Sequence, residues 1–258
     1  MDDRDGVGAG DGMRRLTFVS VALILSTGLW TAQLAVGAGD HSGVAVVLIA
    51  VSLWAATVVS LTGMLVARAR WARRFGLAVT AGHGVVAVIT SPGILWGVAL
   101  AASAITAVSV AGPWLDGIVR GRPSASGPPS RVVLIALFLL GVPFGLGATG
   151  AAELPALVVG LSALAACFWF VRALPGALFV VRIVWPLLAI GLAYPMGYAA
   201  AAVAVFAGIA VGTLAWHPTV RNSIHPLVES GSRVPIPPEL APRDVLDAAE
   251  IDDRGRPL

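Results

Sequence analysis

Residues 43–74 read GVAVVLIAVSLWAATVVSLTGMLVARARWARR, and this stretch decides the fold. Its first 25 residues carry no charged side chain, whereas its last seven include four arginines. A helix needs about 20 consecutive apolar residues to cross a hydrocarbon core of about 30 Å. The stretch therefore predicts a membrane-spanning helix that ends at a positively charged surface.

Similar uncharged runs, bounded by charge, glycine or proline, recur along the chain. Of its 258 residues, 57% are hydrophobic and 12% are charged, which is half the charge of an ordinary soluble domain at about 25%. We predict an all-α, polytopic transmembrane helical bundle. Its eight spans cover residues 16–37, 43–67, 75–90, 93–112, 132–150, 154–171, 177–193 and 196–216. The third and seventh of these spans are short.

Arginine placement predicts the orientation. The chain has 17 arginines and no lysine, a usage that fits a GC-rich bacterial genome. All but Arg182 fall before the first span, in alternate connections or after the last span, and the intervening connections contain none. Because short cytoplasmic loops retain positive charge, we expect a multi-pass bacterial inner-membrane protein with both termini in the cytoplasm. The first run of 22 residues exceeds a signal-peptide core, so we expect it to be retained.

The domain organisation follows from these spans. Residues 1–15 are expected to be a disordered cytoplasmic N-terminus, residues 16–216 the transmembrane domain, and residues 217–258 a flexible cytoplasmic tail rich in proline. A proline- and serine-rich linker, 113–131, separates possible four-helix halves at 16–112 and 132–216. Both halves show the same alternation of arginine and proline, which is consistent with an internal repeat or with topology alone.

Few ionisable groups fall within the spans, and His83 is the first of them. It lies eight residues beyond Phe75, or about 12 Å of helical rise, near the middle of the membrane. A histidine there is suited to binding a metal or haem, but the other histidines and Cys167 offer no second ligand at that depth. The alternative is a neutral histidine that forms a hydrogen bond with a serine or threonine of a neighbouring helix. We expect no metal and no cofactor.

Arg182 is the second such group. If the seventh helix begins near Ala177, the guanidinium reaches the cytoplasmic surface; otherwise it faces the interior and binds an anionic solute or pairs with Asp116. Pro143 and Pro186 interrupt the fifth and seventh spans and leave backbone carbonyls unpaired. These carbonyls are suited to contacting a substrate, or the proline kinks serve only the packing of the helices. His83 and Arg182 are therefore the two binding candidates.

Small residues at helical spacing predict close helix contacts, within the bundle or with a partner or a second copy. These positions form three stripes, which are Gly93/Gly97, Gly141/Gly145 and Ala200/Ala204/Gly208/Gly212. Membrane lipids are the other expected partners. A role in nucleic-acid binding is not expected, because the basic residues belong to loops rather than to a soluble domain.

Two classes of function remain open. All 14 acidic residues lie outside the spans, and no zinc, nucleophile or phosphate-loop motif occurs in the chain, so no enzyme is predicted. In the first class the chain is a non-enzymatic membrane component or complex subunit. In the second it is a permease for a small apolar or weakly anionic solute that uses the kinked fifth and seventh spans.

Overall fold

The computed structural model describes residues 5–37, 39, 42–65, 70–115 and 130–223, and these residues form helices and turns and contain no strand. The predicted all-α bundle is thereby confirmed. The helices of the described residues are α1 Asp5–Gly37, α2 Gly43–Leu65, α3 Arg70–Ile89, α4 Ile94–Ala111, α5 Ser130–Ala148, α6 Leu154–Val171, α7 Ala177–Gly191, α8 Tyr198–Ala215 and α9 Pro218–Ser223, with a short 3₁₀ turn at Pro113–Leu115.

Six of the described helices are long and apolar enough to cross a membrane, namely α1, α2, α4, α5, α6 and α8. The two remaining long segments correspond to the short third and seventh predicted spans. Helix α3 begins with Arg70, Arg73 and Arg74, which lower its mean hydropathy, and α7 has an apolar run of under 18 residues. The count of eight spans and the orientation stay predictions.

Several helix ends differ from the predicted spans. Helix α1 begins at Asp5, inside the segment expected to be disordered, and α3 begins five residues before the predicted boundary at Phe75. The predicted spans stop at charged residues because these residues lie outside the hydrocarbon, but a charged residue does not end a helix. A helix can therefore continue beyond its apolar run, since extending it requires no new nucleation. Most of the predicted linker, residues 116–129, and most of the predicted tail, residues 224–258, lie outside the described residues.

Helices α1–α4 pack together, with α1 against α2, α3 and α4, and α3 against α2 and α4. In the second half, α5 packs against α6 and α8, and α7 packs against α8. The first helix of each half thus contacts the second and the fourth, and the third contacts the fourth. These shared contacts agree with an internal repeat, which stays a prediction.

Helices α2 and α5 form the main contact between the two halves. A Cβ on Gly147 would lie 2.6 Å from the carbonyl oxygen of Ala45, so glycine is required for this close approach. Ser52 of α2 donates a hydrogen bond to the carbonyl of Leu140, three residues before Pro143. A hydroxyl from a neighbouring helix is a common means of satisfying carbonyls near a membrane-helix proline. Pro143 therefore lies at a packing contact.

Contacts between turns fix the relative direction of the helices. At one end of the bundle, the backbone N–H of Ser91 donates to Gly37 O over 3.1 Å, and Ser42 Oγ donates to Ala151 O over 3.2 Å. These bonds join the end of α1 to the α3–α4 turn and the start of α2 to the α5–α6 turn. At the opposite end, Arg73 reaches the end of α4. This second end is called the arginine-bearing end below.

Candidate functional site

His83 is fully buried, and it lies where α1, α2 and α4 surround α3. The preceding glycine permits this position, because a Cβ on Gly82 would lie 2.8 Å from the Leu53 side chain of α2. A Cβ on Gly84 would have no atom within 4 Å. Gly82 therefore allows α2 to pack closely against α3, whereas Gly84 faces outward.

Both ring nitrogens of His83 have hydroxyl partners. Nε2 lies 3.3 Å from Thr27 Oγ1 of α1, and Nδ1 lies 3.1 Å from Ser103 Oγ of α4. Thr27 Oγ1 also lies 3.1 Å from Thr57 Oγ1 of α2, while Trp30 Nε1 donates to Ser103 Oγ over 2.6 Å. Thr27, Trp30, Thr57, His83 and Ser103, called the His83 network below, thus connect all four helices of the first half.

One set of hydrogen-bond directions that satisfies this network starts from the Trp30 donor. The indole N–H of Trp30 can only donate, so Ser103 accepts it and its own hydroxyl proton is free to donate to His83 Nδ1. A neutral imidazole then carries its proton on Nε2 and donates it to Thr27, whose hydroxyl donates to Thr57. In this assignment and in the opposite tautomer alike, both ring nitrogens of His83 have a hydroxyl partner.

Aromatic contacts close the network. The Trp30 ring stacks on His83 with 6.4 Å between centroids and 28° between planes, and the edge of Trp96 meets Trp30 at the same centroid distance. The side chains of Trp30 and His83 are both fully excluded from the surface. In the described part of the chain, no group of three histidine, cysteine or acidic residues is placed to hold a metal ion. The geometry of His83 is therefore that of a helix-bridging residue.

Arg182 lies in the second half, at the arginine-bearing end. Its Nε donates to the carbonyl oxygen of Ala215 over 2.8 Å, and its guanidinium carbon lies 4.9 Å from the centre of the Trp216 ring. The last carbonyls of a helix have no intrahelical donor, and a cation there also interacts favourably with the helix dipole. These contacts place the Arg182 guanidinium beside the end of α8, and its depth in the membrane stays a prediction. The predicted alternative partner, Asp116, lies outside the described residues.

Helix α7 changes its hydrogen-bond pattern around Arg182. Residues Val180–Val184 form a π-helical turn, in which the N–H of Trp185 bonds to Val180 O. Pro186 follows directly, and its ring nitrogen cannot donate to the carbonyl of Arg182 as an α-helix requires. The proline is thus the physical cause of the local change in pitch.

The small-residue stripe of α8 accommodates this turn. Ala200, Ala204, Gly208 and Gly212 are all buried. A Cβ on Gly208 would lie 3.3 Å from Pro186 O, and one on Gly212 would lie 3.5 Å from the Pro186 ring. This stripe therefore makes contacts inside the bundle.

The other two stripes differ from it. A Cβ on Gly145 would lie 3.0 Å from Val203 of α8, whereas Gly141, Gly93 and Gly97 have no atom within 4 Å of a Cβ position. Helix α4 is also the least enclosed of the six long apolar helices, with 28% of its residues buried. Gly93 and Gly97 thus lie on an outward-facing surface.

One buried donor has no partner. Trp185 is 2% exposed, and its Nε1 is the only buried side-chain nitrogen or oxygen in the described part of the chain without a hydrogen bond. It directly follows the π-helical turn.

The sequence points to His83 and Arg182 but not to their partners. Thr27, Thr57 and Ser103 are weakly polar residues of a kind common in membrane helices, and nothing in their spacing pairs them across 20 to 56 residues. In the sequence, Arg73 is distinguished only as a loop charge. In the structure its Nε donates to Val110 O over 3.0 Å and its Nη2 donates to Ala111 O over 2.7 Å.

Fold and contacts together define this chain as an α-helical membrane protein. No protein-family model matches it, and neither the curated proteins nor the solved structures include one with significant similarity.

Proposed function

We propose that the protein is a non-enzymatic component of a bacterial inner-membrane complex, with both termini in the cytoplasm. The observation that carries this proposal is the engagement of both binding candidates in helix contacts. His83 bonds to Thr27 and Ser103, and Arg182 bonds to the end of α8. Both residues therefore contribute contacts between helices, and in His83 both ring nitrogens are used in them.

The surface of α4 supports a partner role. Neither Gly93 nor Gly97 has an atom within 4 Å of a Cβ position, whereas Gly145, Gly208 and Gly212 of the other stripes lie close to a neighbouring helix. Small residues allow two helix backbones to approach closely in a membrane. We assign this surface to a helix of a partner subunit or of a second copy.

Affinity purification from native membranes, followed by native mass spectrometry, tests the proposal. We expect a stoichiometric partner or a second copy with the wild-type chain, and its loss with Gly97→Leu. Gly84→Leu is the matched control, since Gly84 also has open space and lies on α3. Recovery of a partner-free monomer from native membranes would contradict the proposal, as would equal effects of the two variants.

A permease for a small apolar or weakly anionic solute is the second candidate, and Trp185 favours it. An unpaired indole N–H inside a membrane protein is a donor that a weakly anionic solute is able to satisfy. Liposomes containing the pure protein would then swell in acetate faster than empty liposomes, and Trp185→Phe would remove that difference. Equal swelling rates for protein-containing and empty liposomes would count against this candidate.

A further inference from the structure

A groove of about 360 Å³ opens on the outer surface between α5 and α8. Its walls include Leu134, Phe138 and Gly141 from α5 and Val203 and Phe206 from α8. The Phe138 and Phe206 rings lie 6.1 Å apart, and the missing side chain of Gly141 leaves its position open. The surface is apolar and faces the hydrocarbon of the membrane.

A polar cluster lies at the arginine-bearing end of the same two helices. Arg131 precedes Leu134, Phe138 and Gly141 by three, seven and ten residues, so all four share one face of α5. The helical rise places Leu134 about 4.5 Å and Gly141 about 15 Å beyond Arg131. The groove thus begins about one helical turn beyond Arg131 and follows the same face of α5 away from it.

Residues after α8 complete this cluster. The Arg131 guanidinium contacts the imidazole of His217 and donates to Thr219 Oγ1 over 3.2 Å, and Thr219 Oγ1 lies 2.9 Å from His217 Nδ1. An arginine, a histidine and a hydroxyl are therefore gathered at the arginine-bearing end of the two helices that form the groove, about one helical turn beyond its lining residue Leu134.

The charge of this cluster is not balanced by a described acid. Glu153 has the only acidic side chain whose position the structure describes, and it precedes α6 at the opposite end of α5. Arg73 and Arg182 contact helix carbonyls, whereas Arg131 contacts a histidine and a threonine. A phosphate oxygen would supply the charged acceptor that a guanidinium pairs with most strongly.

We propose that the α5–α8 groove binds one anionic phospholipid from the leaflet at the arginine-bearing end. Its phosphate contacts Arg131, His217 and Thr219, and one acyl chain lies along Leu134, Phe138 and Phe206. A phospholipid fits both parts of this site, because its anionic phosphate lies at the membrane surface and its apolar acyl chains extend from the phosphate toward the middle of the membrane. A free phosphate would leave the apolar part of the groove without an occupant.

Native mass spectrometry of the full chain, titrated with phosphatidylglycerol or with phosphatidylcholine of the same acyl chains, tests this proposal. We expect one phosphatidylglycerol to bind more tightly than phosphatidylcholine. Arg131→Gln should weaken phosphatidylglycerol binding roughly fivefold, which corresponds to about 1 kcal/mol for one basic residue at a membrane surface. Gly141→Leu should weaken binding of both lipids, because the new side chain fills the groove.

Two controls separate the site from general effects. Arg172→Gln removes an exposed arginine that lies over Phe168 at 5.2 Å, away from the groove, and Gly84→Leu adds the same side chain on α3. Both should bind phosphatidylglycerol like the wild type. Equal affinity for the two lipids, or Arg131→Gln binding like Arg172→Gln, would overturn the proposal. Unchanged binding by Gly141→Leu would also overturn the proposal. This variant is expected to fold, because no atom lies within 4 Å of a Cβ at position 141.

Discussion

Arg182 donates a hydrogen bond of 2.8 Å from Nε to the carbonyl oxygen of Ala215, the last residue of α8. Arg73 makes the corresponding contact in the first half, where its Nη2 donates over 2.7 Å to the carbonyl oxygen of Ala111, the last residue of α4. The third helix of each half therefore carries an arginine that caps the fourth. Such a contact satisfies carbonyls that the helix itself leaves unpaired.

We expect Arg182→Gln to lower the free energy of unfolding by about 1–2 kcal/mol, since a cation at a partly buried helix C-terminus contributes up to about 2 kcal/mol. Arg182→Lys should retain part of this, because it keeps the charge but loses the planar group over Trp216. Denaturant unfolding in micelles measures the change, with Arg172→Gln as the exposed control. A loss no larger than that of Arg172→Gln would refute the capping role.

His83→Gln should fold, because an amide carries both a donor and an acceptor for Ser103 and Thr27. His83→Leu removes two hydrogen bonds between helices, each worth about 0.6–1.7 kcal/mol in a membrane protein, and should lose about 1–3 kcal/mol. Thermal unfolding followed by tryptophan fluorescence tests both variants. Ser162→Ala is the control, since Ser162 Oγ bonds to Val159 O of its own helix. Stability of His83→Leu equal to that of Ser162→Ala would contradict this role.

Gly147 and Gly141 lie on the same helix and should respond oppositely to alanine. Gly147→Ala places a Cβ 2.6 Å from Ala45 O and should cost about 1–3 kcal/mol through overpacking. Gly141→Ala meets no atom within 4 Å and should be neutral or stabilising by up to about 1 kcal/mol through helix propensity. The unfolding free energies of the two variants decide this, and similar values would mean that α2 and α5 do not approach as described.

Labelling of single cysteines in intact cells tests the span count. With eight spans and cytoplasmic termini, an impermeant thiol reagent should label Ala152→Cys and leave Ser126→Cys unlabelled. If α3 and α7 do not cross the membrane, the six remaining helices still leave both termini in the cytoplasm. The reagent should then label Ser126→Cys and leave Ala152→Cys unlabelled. The native Cys167 is buried and should not react. Labelling of Ser126→Cys alone would therefore reject the eight-span prediction.

Helix positions were largely predictable, and polar contacts were not. The run at 43–67 starts at the same residue as α2, Gly43–Leu65, because charge and hydropathy fix where a chain enters the hydrocarbon. The partners of His83 come from α1 and α4, and their identity depends on how four helices rotate against one another. The position of Gly141 could not be predicted either. Its four-residue spacing to Gly145 is the same as in the stripe of α8, but Gly141 lines a groove rather than a helix contact.

The sequence by itself determined an all-α membrane bundle, the approximate ends of its helices and the clustering of arginine in alternate connections. These properties depend on side-chain transfer between water and hydrocarbon, which each residue carries with it. Tertiary structure alone decided that His83 bridges two helices, that Arg182 caps α8, and which small-residue stripe stays exposed. These outcomes depend on interhelical distances, which arise only when the whole set of helices has packed.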